Sequence, residues 1–199
     1  MLLIATKNPG KIREIRQVLT ALNVAVTALD AYAEVPEPEE TGDTFAENAR
    51  EKARYYSQAT GQWCLADDSG LVVDALGGEP GVHSARYAGI TGADRSVADQ
   101  ANIEKLMHRL GHEADRKGRF VCHLALADGD KILLEATGTF EGVISTSAAG
   151  ENGFGYDPVF FVPEKGCSAA ELSSDEKNAI SHRGCALRRF ATKLGQYLQ

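Results

Sequence analysis

The chain has 199 residues, enough for one substantial domain or two small lobes sharing a core. Hydrophobic residues make up 43% and charged residues 25%, a balance that excludes long-range disorder. The formal net charge of −7 argues against a protein that wraps a nucleic acid polymer, which needs many Lys and Arg contacts to phosphate, but allows one small anionic ligand.

Leu2–Thr6 predicts a short buried strand, and Asn8-Pro9-Gly10 a turn. Ile12, Ile15, Val18, Leu19 and Leu22 recur at helical spacing, so a helix is expected from Lys11 to Leu22. Val24–Leu29 reads as a second strand, and the acidic, proline-bearing stretch Asp30–Gly42 as a loop. A helix over Thr44–Thr60 carries a capping box at Thr44 and Glu47 and a stop at Gly61. Trp63–Ala66 predicts a strand ending at Asp67-Asp68-Ser69-Gly70, Leu71–Leu76 a further apolar segment, and Gly77–Gly81 a sharp loop.

Asp94 is placed to cap a helix from Arg95 to Leu110, ended by Gly111. Phe120–Ala127 and Lys131–Thr137 flank Asp128-Gly129-Asp130 as a hairpin that Phe140–Ser145 would extend, and Pro158–Val162 is another strand. Leu187, Phe190, Ala191, Leu194 and Leu198 form the apolar stripe of a last helix starting near Ser181 or Arg183. Interleaved strands and helices followed by a hairpin indicate an α/β protein with a mixed sheet.

No apolar run approaches a membrane span, and the opening Met1–Thr6 is too short and too soon polar for a signal peptide, so a cytoplasmic location is expected, with no membrane partner. Cys64, Cys122, Cys167 and Cys185 show no C-x-x-C spacing and are expected reduced and mostly buried. His108 and His112 have i, i+4 spacing, but Gly111 between them and the lack of a third ligand argue against a metal site there.

Five segments carry candidate chemistry. Thr6-Lys7-Asn8-Pro9-Gly10-Lys11 joins a strand to a helix, where backbone N–H groups, the helix dipole and Lys11 suit a phosphate; it is not a Walker A loop, because Ile12 follows Gly10-Lys11. Asp67 and Asp68 are adjacent carboxylates that need solvent, a partner or a cation, and on a strand they point to opposite faces. A glutamate of the Glu39-Glu40 pair could complete a metal site with Asp68. Gly153-Phe154-Gly155-Tyr156-Asp157 offers aromatic faces among glycines, fit to stack on a flat base. Ser181-His182-Arg183, with Lys177 shortly before, offers donors to an electronegative partner. Read singly, each is also an ordinary turn, cap or solvated charge.

Taken together and in this order, Thr6–Lys11, Glu39–Gly42 with Thr44–Ala49, Ala66–Leu71, Gly81–Tyr87, Gly153–Pro158 and Glu176–Gly184 resemble the inosine/xanthosine triphosphate pyrophosphatases, the noncanonical purine NTP pyrophosphatase family. The resemblance implies one two-lobed domain over residues 1–199, with a long central mixed β-sheet flanked by helices and the active site in the cleft between lobes. It implies hydrolysis of ITP, dITP and XTP to monophosphate and pyrophosphate, with Mg²⁺ and a homodimer. It also implies residue roles. Thr6, Lys7, Asn8, Pro9, Gly10, Lys11 and Lys52 would bind the triphosphate. Asp68 would be general base and metal ligand, with Glu39 or Glu40 as the other ligand, and Ser69 a substrate contact. Phe154, Gly155, Tyr156 and Asp157 would form the base-stacking loop, and Lys177, His182 and Arg183 would read the purine. Two readings compete: a pyrophosphatase for modified pyrimidine or methylated nucleotides, and a nucleotide sensor that binds without turnover.

Overall fold

The computed structural model describes residues 2–20, 24–90, 92 and 94–198. One mixed sheet holds seven strands: β1 (Leu2–Ile4), β2 (Val26–Ala28), β3 (Trp63–Val73), β4 (Lys117–Asp128), β5 (Lys131–Ile144), β6 (Phe160–Val162) and β7 (Cys167–Ser168), in the order β2-β1-β3-β4-β5-β6-β7. β1 runs parallel to β2 and β3, and β6 antiparallel to β5 and β7. The α-helices are α1 (Pro9–Thr20), α2 (Phe45–Thr60), α3 (Arg95–Leu110), α4 (Ser174–Ile180) and α5 (His182–Tyr197). The chain divides into two compact units, and β3, β4 and β5 contribute residues to both.

The first unit comprises Met1–Asp68, Cys122–Gly138 and His182–Gln199. β1, residues 64–68 of β3 and residues 122–127 of β4 are buried on both faces, which explains the unbroken apolar runs at Leu2–Ile4 and near Leu124. The period of two sorts the side chains. Leu2, Ile4, Leu65, Cys122, Leu124 and Leu126 meet Ile15 and Leu19 of α1 and Leu187, Phe190 and Leu194 of α5. Leu3, Cys64, Ala66, Ala125 and Ala127 meet Ala49, Ala53 and Tyr56 of α2, and the small residues on both sides let that helix lie close. α2 has its full capping box: Thr44 accepts from the Glu47 amide, and the Glu47 carboxylate accepts from the Thr44 amide. It stops at Gly61, whose φ of 65° is the left-handed conformation a helix C-terminus favours.

The second unit comprises Ser69–Val121 and Thr139–Ser181. Its core gathers Leu71, Val73, Phe120, Phe140, Ile144, Tyr156 and Phe160 around Ile103, Leu106 and Leu110 of α3. Phe160 is the hub, with ring centroids 4.6 Å from Phe120 and 5.2 Å from Phe140.

Several expectations need correction. β3 does not break at Asp67–Gly70; it is one strand from Trp63 to Val73. Asp94 precedes α3 without a side-chain cap. β6 begins at Phe160, after a short 3₁₀ turn at Asp157–Val159, and not at Pro158. The expected start of the last helix holds, with α5 beginning at His182, but Leu198, counted in its apolar stripe, lies beyond it and is exposed. β7 and α4 were not expected. α1 begins two residues earlier than its apolar stripe suggested, and Leu22 lies outside the described residues. Of the cysteines, all free, Cys64 and Cys122 are buried and their thiols are pushed up to about 12, chiefly by desolvation, while Cys167 and Cys185 are half-buried.

One polar cluster of the first unit tests its electrostatics. Glu135 accepts from Arg50 Nε at 2.6 Å and lies 2.9 Å from His123 Nε2, whose Nδ1 is 2.8 Å from Thr137 Oγ1. Partial burial raises the Glu135 carboxyl, but Arg50 and His123 outweigh it and hold the group below its ordinary range. A depressed carboxyl stabilises the fold above its unfolded pKa and loses that contribution as pH falls through the folded value. Glu135→Gln is therefore expected to lower stability at pH 7 by roughly 1 kcal/mol, with the deficit closing below about pH 4. Urea midpoints measured from pH 3 to 8 check this; a deficit that persists unchanged at pH 3 contradicts it.

Candidate active site

In the first unit, the segment after β1 is shaped by its own side chains. Thr6 Oγ1 accepts from the Asn8 amide at 3.2 Å, and Asn8 Oδ1 accepts from the Gly10 amide at 2.9 Å. Asn8 thus caps α1, with Pro9 at the first helical position, where a missing N–H costs nothing. Two of the amides expected to face a phosphate, those of Asn8 and Gly10, are engaged within the loop. Lys7 is exposed and lies 3.9 Å from Glu37. Lys11 turns inward, with Nζ 2.9 Å from Asp67 Oδ2 and its side chain 16% exposed.

Asp67 and Asp68 part as adjacent strand residues must. Asp67 is fully buried. Besides Lys11 it meets Arg183 Nε at 3.3 Å, and Arg183 Nη1 donates to Glu14 at 2.6 Å. Desolvation would raise the Asp67 carboxyl, but Lys11, Arg183 and Lys52 together hold it well below the usual carboxylate range. Arg183 is driven above its ordinary value: burial opposes its charge, and Asp67 and Glu14 overcome that.

Asp68 has a different environment. Its Oδ2 accepts from Asn48 Nδ2 at 3.0 Å, and Asn48 Oδ1 accepts from the Gly42 amide at 2.8 Å. Asn48 therefore ties the acidic loop to Asp68 from inside α2. Lys52, one turn further on, pairs with Glu40 and donates to the Asp67 carbonyl at 3.2 Å. Burial raises the Asp68 carboxyl; Lys52 lowers it, Glu40 raises it further, and the Asn48 hydrogen bond and Lys11 only partly offset the rise. Lys52 is raised as well, because Glu40, Asp68 and Asp67 outweigh its desolvation.

Glu40 therefore stands within the electrostatic reach of Asp68, whereas Glu39 is exposed. Two mutually repelling carboxylates suit a divalent cation, and magnesium takes one or two carboxylates while water and phosphate oxygens fill the remaining places. Among the described residues no group of three or more His, Cys, Asp or Glu side chains could hold a metal by itself. The donor set fits a metal shared with a phosphorylated substrate.

His182 and Arg183 open α5 and are both buried. In the second unit, Ser69 follows Asp68 along β3 and is half-buried. The Phe154–Asp157 loop is internally tied: Asp157 Oδ2 accepts from the Phe154 amide at 2.8 Å and from Lys177 Nζ at 2.5 Å. Lys177 Nζ also lies 5.1 Å from the Phe154 ring centroid, and the Arg95 guanidinium 5.3 Å from it. Tyr156 belongs to the core, its hydroxyl donating to the Ser84 carbonyl at 2.9 Å, so the half-buried ring of the pair is that of Phe154. Asn48 and Glu14 join the constellation without having been singled out as site residues, while Asp67, one of the two adjacent carboxylates, finds its partners in Lys11 and Arg183. An asparagine inside a helical stretch was the readable signal for the first, since that residue gains little from helix geometry itself.

A family model described as the Ham1 family matches residues 2–193. A dITP/XTP pyrophosphatase of Bacillus anthracis is 49% identical over 198 residues, covering 98% of this chain and 96% of its own. Its counterpart in Exiguobacterium sp. is 48% identical over 198 residues, covering 100% and 98%. Among solved structures, a HAM1 protein from Coxiella burnetii matches with a TM-score of 0.89 at 41% identity, covering 98% of both chains. The Staphylococcus aureus Ham1 protein matches with a TM-score of 0.87 at 40% identity, again covering 98% of both.

Proposed function

The chain belongs to the Ham1 family, and from that premise we propose that it hydrolyses purine nucleoside triphosphates with deaminated bases (ITP, dITP and XTP) to the monophosphate and pyrophosphate. The observation that carries the proposal is the cluster around Asp68: a buried carboxylate held by Asn48, with the Lys52–Glu40 ion pair close enough to act on its charge. That set matches water activation next to a polyphosphate.

In this reading Lys11 and Lys52 neutralise the polyphosphate, and Thr6–Gly10 shape its seat. Lys11 is pre-positioned by Asp67. Asp68 orients a water and accepts its proton as the oxygen attacks the α-phosphorus; the bond from that phosphorus to the bridging oxygen breaks, and pyrophosphate leaves with the electron pair. Glu40 and Asp68 are the residues that would hold Mg²⁺, which when bound screens the charge of the leaving group. No covalent enzyme intermediate is needed.

The Phe154 ring serves the base, with Gly155, Asp157 and Lys177 beside it, and Ser69 is a further substrate contact. His182 and Arg183 supply donors to the 6-oxo group of hypoxanthine or xanthine; adenine presents a 6-amino donor instead and leaves donors facing donors. The ion pairs of Arg183 with Asp67 and Glu14 fix its plane, as a selective donor requires. A mismatch of buried polar groups can discriminate by about 10⁴ or more in kcat/KM. The reading also includes a homodimer acting on the cytoplasmic nucleotide pool, and light scattering at micromolar concentration tests the dimer. No helix among the described residues is long and apolar enough to cross a membrane.

The deciding experiment is product analysis. With Mg²⁺ and ITP the protein is expected to release pyrophosphate and IMP in equal amounts, with ATP slower by about 10² or more in kcat/KM. Release of orthophosphate, or binding without turnover, overturns the proposal.

A further inference from the structure

α3 belongs to none of the segments assigned to the substrate, yet its first turns reach the Phe154–Asp157 loop. Asp99 Oδ2 accepts from the Gly155 amide at 2.9 Å and lies 3.7 Å from Arg95 Nε, one turn earlier on the helix. Arg95 in turn lies over the Phe154 ring. The Asp99 side chain is only 18% exposed, and a carboxylate so withdrawn from water needs donors. One is the Gly155 amide, in a loop 56 residues away, and the other partner is Arg95 on its own helix.

The loop needs such a tie. Gly153 and Gly155 have φ of 78° and 63°, the region glycine enters without steric cost, so backbone preference alone does not fix where Phe154 points. Among the bonds that fix it are Phe154 N–H to Asp157, Tyr156 O–H to Ser84, and Gly155 N–H to Asp99. Asp157 and Tyr156 lie within the proposed base-binding loop itself. Asp99 is outside it, so its loss moves the loop without deleting a contact to the base.

We propose that Asp99 is a positioning residue for base recognition: by accepting the Gly155 amide hydrogen and holding Arg95 against Phe154, it sets the pose of the ring that receives the purine. The inference rests on the reading of Phe154–Asp157 as the base-binding loop, and the test separates the two.

The full chain is assayed with Mg²⁺ and ITP, with inorganic tripolyphosphate, which has no base, as a competing inhibitor. Asp99→Ala is expected to raise KM for ITP about tenfold with kcat changed by less than about twofold, the pattern of lost uniform binding. Inhibition by tripolyphosphate should stay within about twofold of the parent, because that ligand makes no use of the loop. Asp99→Asn keeps an acceptor oxygen at the same point and should return KM to within about threefold of the parent. Should Asp99→Ala fold poorly, Asp99→Ser shortens the side chain without adding apolar surface, and the same readouts apply. An unchanged KM in Asp99→Ala, alongside a raised KM in Phe154→Ala, overturns the role of Asp99 and leaves the loop reading standing. An unchanged KM in Phe154→Ala overturns the loop reading itself. A parallel loss of tripolyphosphate inhibition in Asp99→Ala marks a general structural effect and overturns the inference too.

Discussion

Asp68→Asn is expected to slow pyrophosphate release from ITP by about 10³ or more, the upper part of the range for removing a positioned general base. The substitution keeps the shape of the side chain. Asn48 Nδ2, which donates to Asp68 Oδ2 at 3.0 Å, can donate equally to an amide oxygen there, so the tie between α2 and β3 survives. What disappears is the charge and the ability to take a proton. The fold should barely register the change: Lys52 retains Glu40, and the repulsion between Glu40 and Asp68 is relieved. A urea midpoint equal to or above that of the parent, together with the loss of turnover, is the expected pair of results. Retention of even about a tenth of the parent rate would remove Asp68 from the chemistry, since a group supplying 10²–10⁴ cannot be dispensed with so cheaply.

What the sequence disclosed and what it hid divide along the range of the interactions. The capping box at Thr44 and Glu47 and the stop at Gly61 are local, and the structure holds them as expected. Ser173 and Glu176 carry the same signature, but the seven residues of α4 offer too few apolar positions to announce a helix. The break expected at Asp67–Gly70 follows from the turn preference of Asp, Ser and Gly, and that preference lost. β3 passes straight through because Lys11 and Arg183 compensate Asp67, the second of them 116 residues away along the chain. No local pattern displays such a partner. The Glu39-Glu40 pair is a similar case: composition leaves the two equivalent, and only the fold turns Glu40 toward Lys52 and leaves Glu39 in water. The aromatics of the glycine-rich loop part in the same way, since Tyr156 pays its burial with a bond to Ser84 while Phe154 stays at the surface of the core.

Asp67 carries the second large expected effect, and it concerns stability. Its side chain is fully buried between Lys11 and Arg183, whose side chains are 16% and 2% exposed. Removing one partner of a buried ion pair typically costs about 3–5 kcal/mol, because the remaining charge has been taken from water without compensation. Two features place Asp67→Ala near the lower end: Arg183 keeps Glu14 at 2.6 Å, and Lys11 is exposed enough to swing toward solvent. The expected loss is therefore about 3 kcal/mol, or a fall in Tm of roughly 6–12 °C for a chain of this size. The pH dependence follows from the direction of the shift. The folded Asp67 carboxyl is held below its unfolded value, so its contribution is complete above that value and vanishes as pH falls through the folded one. The gap between parent and variant should be constant from about pH 5 to 8 and narrow below about pH 4. Asp67→Asn, which fills the space but carries no charge, should lose nearly as much as the alanine variant. If the asparagine variant matches the parent in urea at pH 7, packing and not charge holds this part of the molecule, and the clamp on Lys11 loses its physical basis.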